Sequence, residues 1–371
     1  MKTLCHTFFL SLIVFFSANT CLSDTGPFSG VYVHPSEFAD AALAPEAREA
    51  LMEEALDGIK ACGITTVIPY ATTTSGGVYW PGTEAPVAGV ESWDTLGIFA
   101  RKARARDLKI MPAVCVLAAG HDAPSGILKE HPDWALRDAK GSPLGWISPA
   151  NAEARAWITA LVLSLVKHIE PDGIMLDYMR FPSQGGVMLD PASMAAFDAT
   201  APENEATAAR KARLQEAKET ALTALMTDLG TALRAHNPKL RIGLYTWGAN
   251  VTSGHAIAQC WPAWVRAGHL DLLNVSGYCY RDNYGDAYLE VFETRLRDAA
   301  DLARQSGGAV ELTFALGVKT SHGAIQSAAE MGTYLDIARR AGYPGVAAFA
   351  WRSLANFTDE AAEAGYFRLS E

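Results

Sequence analysis

The stretch PDGIMLDYMRFP, Pro171 to Pro182, decides how the chain reads. Ile174, Met175 and Leu176 form a short apolar run, entered through Asp172-Gly173 and left through Phe181-Pro182, the pattern of a β-strand buried on both faces. Asp177 follows at once. A lone aspartate is most often a helix cap or a satisfied core residue, but no helical pattern opens here, and an unpaired charge at the end of a buried strand costs several kcal/mol. The carboxylate therefore has either a specific partner or a chemical task.

Outward from this strand, apolar strand patterns and amphipathic helical patterns alternate along the chain. GVYVHP leads to the helical PEAREALMEEALDGIKACG; TTVIPYA leads to WDTLGIFARKARARD; LKIMPAVCV leads to NAEARAWITALVLSLVKHIEP. After the fourth strand, one long helix is expected over 203–236. The strands LRIGLYTW and LDLLNVSGYCY follow, then the helix DAYLEVFETRLRDAADLARQSG, the strand VELTFALGV, the helix QSAAEMGTYLDIARRAG and an eighth strand, GVAAFAWRSL. Eight such strands in a chain of 371 residues predict one α/β domain, a single (β/α)8 TIM barrel over 24–371, rather than an open doubly wound sheet. No Pro/Ser-rich linker divides it.

In that fold the chemistry sits at the C-terminal ends of the strands. Those ends carry the unusual residues: His34 and Glu37 after the first, Tyr70 after the second, Asp177, Tyr178 and Arg180 at the fourth, and Trp247 at the fifth. The sixth ends in Tyr278, Tyr280, Arg281 and Asp282, and the eighth in Trp351 and Arg352. Glu311 begins the seventh strand, so it belongs to the opposite, stabilising face. Aromatic rings gathered at a barrel mouth suit a saccharide, whose apolar ring face stacks on flat side chains while its hydroxyls seek oriented polar groups.

Other function classes are poorly served. A net charge of −10 repels phosphate backbones and argues against a nucleic-acid partner. A metal-dependent hydrolase on this fold needs a His-x-His pair, and VHPSE has only His34; His121, His255 and His322 fall in loops without ligand spacing. GVKTSHGA is a weak phosphate-loop candidate, and neither GxGxxG nor a P-loop is present, so no cofactor is expected. Cys62, Cys115, Cys260 and Cys279 show no CxxC spacing; Cys260 and Cys279 either pair in an oxidising compartment or stay as buried thiols. The opening MKTLCHTFFLSLIVFFSANTCLSD reads as a signal peptide over 1–23, too short in its apolar part for a permanent membrane span, which expects an exported protein, periplasmic or extracellular. Lipidation at Cys21 is the lesser alternative, because Thr20 is a poor fit to the small residue such a site wants.

The string DGIMLDYMRFP resembles the fourth-strand motif of the glycosyl-hydrolase-like barrel families, including the family-10-like group of bacterial secreted and surface proteins. HPDWALRDAKGSPLGWISPANAEAR is similar to that group's segment after the third strand, with Trp134, Trp146, Pro149 and Asn151 in matching places. The likeness extends to the sixth and eighth strands and so covers nearly the whole chain beyond the leader. It implies a glycoside hydrolase whose strand-four acid is Asp177, flanked by Tyr178 and Arg180. Two departures stand out: Met179 occupies the region where chitinase-type barrels carry a glutamate acid, and the second aspartate of FDDY-type members is replaced where Leu176 or Tyr178 stands.

Hydrolysis of O-glycosyl bonds normally takes two carboxyls. Asp177 is the first; Asp282 ranks above Glu37 as the second, because it follows the tyrosine-rich end of strand six. His34, Tyr70, Trp146, Tyr178, Arg180, Trp247, Tyr278, Tyr280, Trp351 and Arg352 are the expected saccharide contacts, with no metal or cofactor. The competing class is a carbohydrate-binding barrel without catalysis, which keeps the rings and dispenses with the second acid.

Overall fold

The computed structural model describes residues 27–368; the expected leader, including Cys21, lies outside them. Eight parallel barrel strands run in chain order: β1 Ser29–Val33, β2 Thr66–Pro69, β3 in two pieces (Lys109–Ile110 and Ala113–Cys115), β4 Gly173–Asp177, β5 Arg241–Thr246, β6 Leu272–Ser276, β7 Glu311–Gly317 and β8 Gly345–Phe349. Each is followed by a helix: α1 Pro45–Ala61, α2 Thr95–Arg104, α3 Ala152–Ile169, α4 Thr207–His236, α5 Trp261–Arg266, α6 Tyr288–Ser306, α7 Ala328–Arg340 and α8 Thr358–Glu363.

Pro112 explains why β3 is broken. It has no N–H to give to the ladder, so Met111 N–H donates to Val67 O (3.0 Å) and the next bond is Met175 N–H to Pro112 O (2.9 Å). The first piece of β3 pairs with β2 and the second with β4, and a bridge from Tyr70 to Ala113 joins the two edges. The sheet thus closes on itself, and the (β/α)8 expectation holds.

Closure sets which side chains share the interior, because alternate residues of a strand face the same way. Tyr32, Ile68, Met111, Ala113, Met175, Leu272 and Ala347 form the inner core, closed at the N-terminal end by Phe28. A buried polar thread crosses it: Asn274 Nδ2 donates to Tyr32 Oη (2.9 Å), and Thr313 Oγ1 donates to Asn274 Oδ1 (3.0 Å), so the amide spends no free energy on an unmet partner. Gly243 belongs to this packing, since a Cβ there would come within 2.7 Å of Met111 Cε. The larger core lies between the strands and the surrounding helices, where Leu222, Leu225, Met226 and Leu229 of α4 are buried.

Several elements escaped the sequence reading. A three-stranded antiparallel sheet (Ala118–His121, Pro143–Ile147, Ala135–Arg137) stands on the mouth between β3 and α3 and takes two of its strands from the HPDW stretch, 131–155. The helix expected over 203–236 is α4, Thr207–His236, but a separate short helix, Pro191–Ala199, precedes it unforeseen, and the short α5 separates β5 from β6. A small hairpin, Lys319–Thr320 with Gly323–Ala324, follows β7. Asn151 is the N-cap of α3, its Oδ1 accepting from Glu153 and Ala154 N–H at 3.0 Å each, which accounts for an asparagine at the end of the HPDW stretch. Cys62, Cys115, Cys260 and Cys279 are all free thiols, so the Cys260–Cys279 alternative is not formed. No described helix is long and apolar enough to cross a membrane.

Glu311 sits where the seventh strand begins, at the end of the barrel remote from the mouth. Its Oε1 accepts from Phe28 N–H (3.0 Å) and its Oε2 from Arg241 Nη2 (2.5 Å). Glu311→Gln is expected to cost about 1–2 kcal/mol of stability, the worth of a partly exposed charged hydrogen bond. Urea titration would show that loss, while any ligand affinity at the mouth stays unchanged.

Candidate active site

Met175 and Asp177 lie on one face of β4, so the pleat that sends Met175 into the barrel core sends the carboxyl into the layer above it. The chain then turns sharply. Tyr178 has φ +50, a conformation rare for a side chain of that bulk, and its N–H donates back to Asp177 Oδ1 at 2.7 Å. Tyr70, at the end of β2, donates its hydroxyl to Oδ2 at 2.8 Å. Both carboxyl oxygens are therefore held, one by the neighbouring backbone and one from across the barrel. Burial raises the Asp177 pKa above the ordinary aspartate range; the Tyr70 hydroxyl, the Tyr178 N–H and the charge of Arg180 oppose the rise without cancelling it.

Above Asp177 opens a cavity of about 570 Å³. Among the described residues, Asp177 is the only carboxylate that lines it. Rings supply most of the wall: Tyr32 and Tyr70 lie 5.6 Å apart between centroids, Tyr245 and Tyr278 5.9 Å, and Tyr278 and Phe349 5.8 Å. Burial pushes the Tyr178 hydroxyl up to about 12 and raises Tyr70, Tyr245 and Tyr278 as well, so these phenols remain protonated donors at neutral pH. Arg180 crosses the mouth with its Cζ 4.8–5.1 Å from the ring centroids of Trp146, Tyr178 and Trp247. Among the described residues no group of three or more His, Cys, Asp or Glu side chains is placed to hold a metal ion.

Of the residues singled out from the sequence, Asp177, Tyr70, Tyr178, Arg180, Trp247 and Tyr278 line this cavity. The others do not. His34 stacks behind Tyr70, centroids 5.1 Å apart, and Trp146 backs Tyr178. Tyr280 is buried, with its hydroxyl on Gly317 O at 2.9 Å, because the chain has already left β6 and is entering the short helix Arg281–Tyr284. Trp351 begins another short helix, Trp351–Leu354, which turns its ring outward onto Gly58 of α1. Arg352 is exposed beside His34 and Glu37, and its charge works against the rise that burial causes in the Glu37 pKa. One oxygen of Glu37 is buried with no hydrogen-bond partner among the described residues. Asp282 is exposed and borders a separate recess, which shares Thr320, Ser321 and His322 with the main cavity.

Four lining residues missed in the sequence, Tyr32, Tyr245, Ser276 and Phe349, each precede a chosen strand-end residue by two. The two-residue pleat was signal enough to find them. Asn250, Asn283, Tyr284 and Thr320–His322 arrive on loops and short turns, and Arg295 reaches in from α6, none with a local cue. His121, expected to be a solvated loop residue, ends a strand of the side sheet and sets its ring edge-on to Trp146 and Tyr178, 5.6 Å from each.

Comparison with known proteins bears on this geometry. Among solved structures, the glycoside hydrolase domain of PgaB (BpsB) from Bordetella bronchiseptica superposes with TM-score 0.72 at 16% identity, over 93% of this chain and 99% of that one. The catalytic domain of β-amylase from Paenibacillus polymyxa gives 0.62 at 14%, over 93% and 97%. A β-galactosidase from the psychrophilic Marinomonas ef1 gives 0.61 at 14%, over 91% of this chain and 58% of that one. At such identities these likenesses establish the barrel fold alone. No curated protein matches the sequence. The family model for glycosyl hydrolase-like 10 matches residues 45–300, more than half of the chain and the span that carries Asp177, Arg180 and most of the cavity wall, and the chain belongs to that family.

Proposed function

We propose that this protein takes an oligosaccharide into the ring-lined mouth of the barrel and hydrolyses a glycosidic bond there, with Asp177 as proton donor to the leaving oxygen. The observation that carries the reading is the buried Asp177 carboxyl at the cavity wall, held by Tyr70 and the Tyr178 N–H, whose pKa burial raises above the ordinary aspartate range in the direction a proton donor needs. Tyr70 and the Tyr178 N–H orient it, and the surrounding rings and phenols supply stacking faces and donors for a sugar. A second group must activate water or attack the sugar. We assign that part to Asp282 ahead of Glu37, because the recess bordered by Asp282 is continuous in its lining with the main cavity, while Glu37 belongs to the His34–Arg352 cluster. Export, read from residues 1–23, is part of the same proposal.

A second reading has one observation in its favour. Since Asp177 is the only carboxylate among the described residues that line the cavity, the site also suits a barrel that binds saccharide without cleaving it.

Asp177→Asn separates the two. It preserves the shape but removes the proton, so turnover of a cleaved oligosaccharide is expected to fall by about 10²–10⁴ while saccharide affinity stays within a few-fold. A wild-type protein that binds oligosaccharides, yields no product by mass spectrometry and matches the variant in all respects is a binder. Asp282→Asn tests the assigned partner on the same substrate.

The pH dependence carries a sign. As a proton donor, Asp177 acts in its neutral form, so kcat/KM should fall as pH rises through its raised pKa. Tyr70→Phe removes a hydrogen bond that favours the charged form. The fall should then move to higher pH in the pH–rate profile; an unmoved or lowered midpoint removes Asp177 from the proton-donor role.

A further inference from the structure

We infer that the saccharide taken by this cavity is acidic, its ring carrying a carboxylate or sulfate that Arg180 and Arg295 hold. The inference rests on the saccharide reading above and adds its chemical class.

Two guanidinium groups line the cavity, Arg180 after β4 and Arg295 from α6. Both are only partly exposed. Their hydrogen bonds go to neutral acceptors: Arg180 Nη1 to Phe181 O (3.2 Å), Arg295 Nη1 to Ser276 O (3.2 Å) and Arg295 Nη2 to the Tyr284 hydroxyl (3.0 Å). Among the described residues neither is ion-paired, whereas Arg155, Arg213, Arg234 and Arg241 elsewhere on the barrel each hold a carboxylate. A half-buried guanidinium is costly to leave with neutral partners only, and its planar set of donors matches a carboxylate or sulfate in two-point contact.

Asp177 does not meet that need. Its two oxygens already accept from Tyr70 and from the Tyr178 N–H, and it forms no ion pair with Arg180. The lining thus holds two fixed positive charges against one carboxylate, in a chain whose net charge is −10. A local reversal of sign inside a low-dielectric cleft concentrates anions there.

The placement of the two groups is also specific. They flank the end of β5: Arg180 lies over the Trp247 ring at 4.8 Å, and Arg295 Cγ stands 3.2 Å from the position a Cβ on Gly248 would take. Gly248 has φ +124, so a side chain there would be strained and would press on Arg295. The paired rings of Tyr245 and Tyr278 line the same cavity, offering a face for the sugar whose anionic substituent the arginines take.

The test is calorimetric titration of the full chain with trigalacturonate, a hyaluronan tetrasaccharide and a sulfated chondroitin tetrasaccharide. Cellotriose, maltotriose, tri-N-acetylglucosamine and triglucosamine serve as uncharged or cationic counterparts. One acidic ligand is expected to bind at least roughly 10-fold tighter than every neutral or amino one, the uronate and sulfate arms showing which anion is preferred. Arg295→Gln should remove at least about 10-fold of that affinity and cost neutral saccharides clearly less, with Arg295→Lys recovering part of the loss. Arg180→Gln provides an independent variant should Arg295→Gln fail to fold by circular dichroism. A neutral or amino sugar binding tightest, or an equal loss for both classes in the variants, overturns the acidic assignment and leaves the saccharide reading standing. Binding of no saccharide from either group overturns both.

Discussion

A closed parallel barrel lets only every second residue of each strand look inward, and almost everything at this mouth follows from that constraint. With Met175 committed to the core, Asp177 has to enter the next layer up, where Tyr70 arrives by the same rule from Ile68 two residues earlier. The 2.8 Å hydrogen bond between them spans from β2 to β4 across the broken β3. Pro112 makes that break, and the Tyr70–Ala113 bridge seals it. The carboxyl is therefore positioned by the same closure that makes the barrel.

The chemical character of the site comes from what surrounds that carboxyl. In a ring-walled cavity, desolvation outweighs the two hydrogen bonds and the nearby guanidinium, so the group is held toward its neutral form. The phenols around it are pushed upward by the same burial and stay as donors. One titratable acid among permanent donors and two arginines is a polarised arrangement rather than a generic polar patch. It departs from the pair of facing carboxylates on which most glycoside hydrolysis relies.

The HPDW segment illustrates how a resemblance mixes structural and site residues. Trp146 does belong to the mouth, as a backing plate for Tyr178 and Arg180. Asn151 caps α3, and Trp134 stacks with His131 at a centroid distance of 4.0 Å, away from the cavity lining. Matching places in a motif thus carry both the scaffold that sets the side sheet on the barrel and the ring that shapes the pocket.

Periodicity and apolar runs sufficed for eight strands, their order and the position of Asp177 at a strand end, because those depend on local hydrophobic pattern and chain direction alone. They were also enough for Tyr70, Tyr178, Arg180, Trp247 and Tyr278, which lie at or just beyond strand ends. Tyr280 and Trp351 look equivalent in sequence yet face away, since each falls after its strand has given way to a helical turn that rotates the side chain by an amount no two-residue pattern contains. Arg295 and the Thr320–His322 hairpin, far from Asp177 in sequence, reach the cavity only because α6 and the loop after β7 fold over the mouth. Whether Asp282 or Glu37 shares a space with Asp177 was likewise a question of three-dimensional distance. Burial, ion pairing and the sign of charge in a cleft are sums over neighbours brought together from the whole chain, and only tertiary packing decides them.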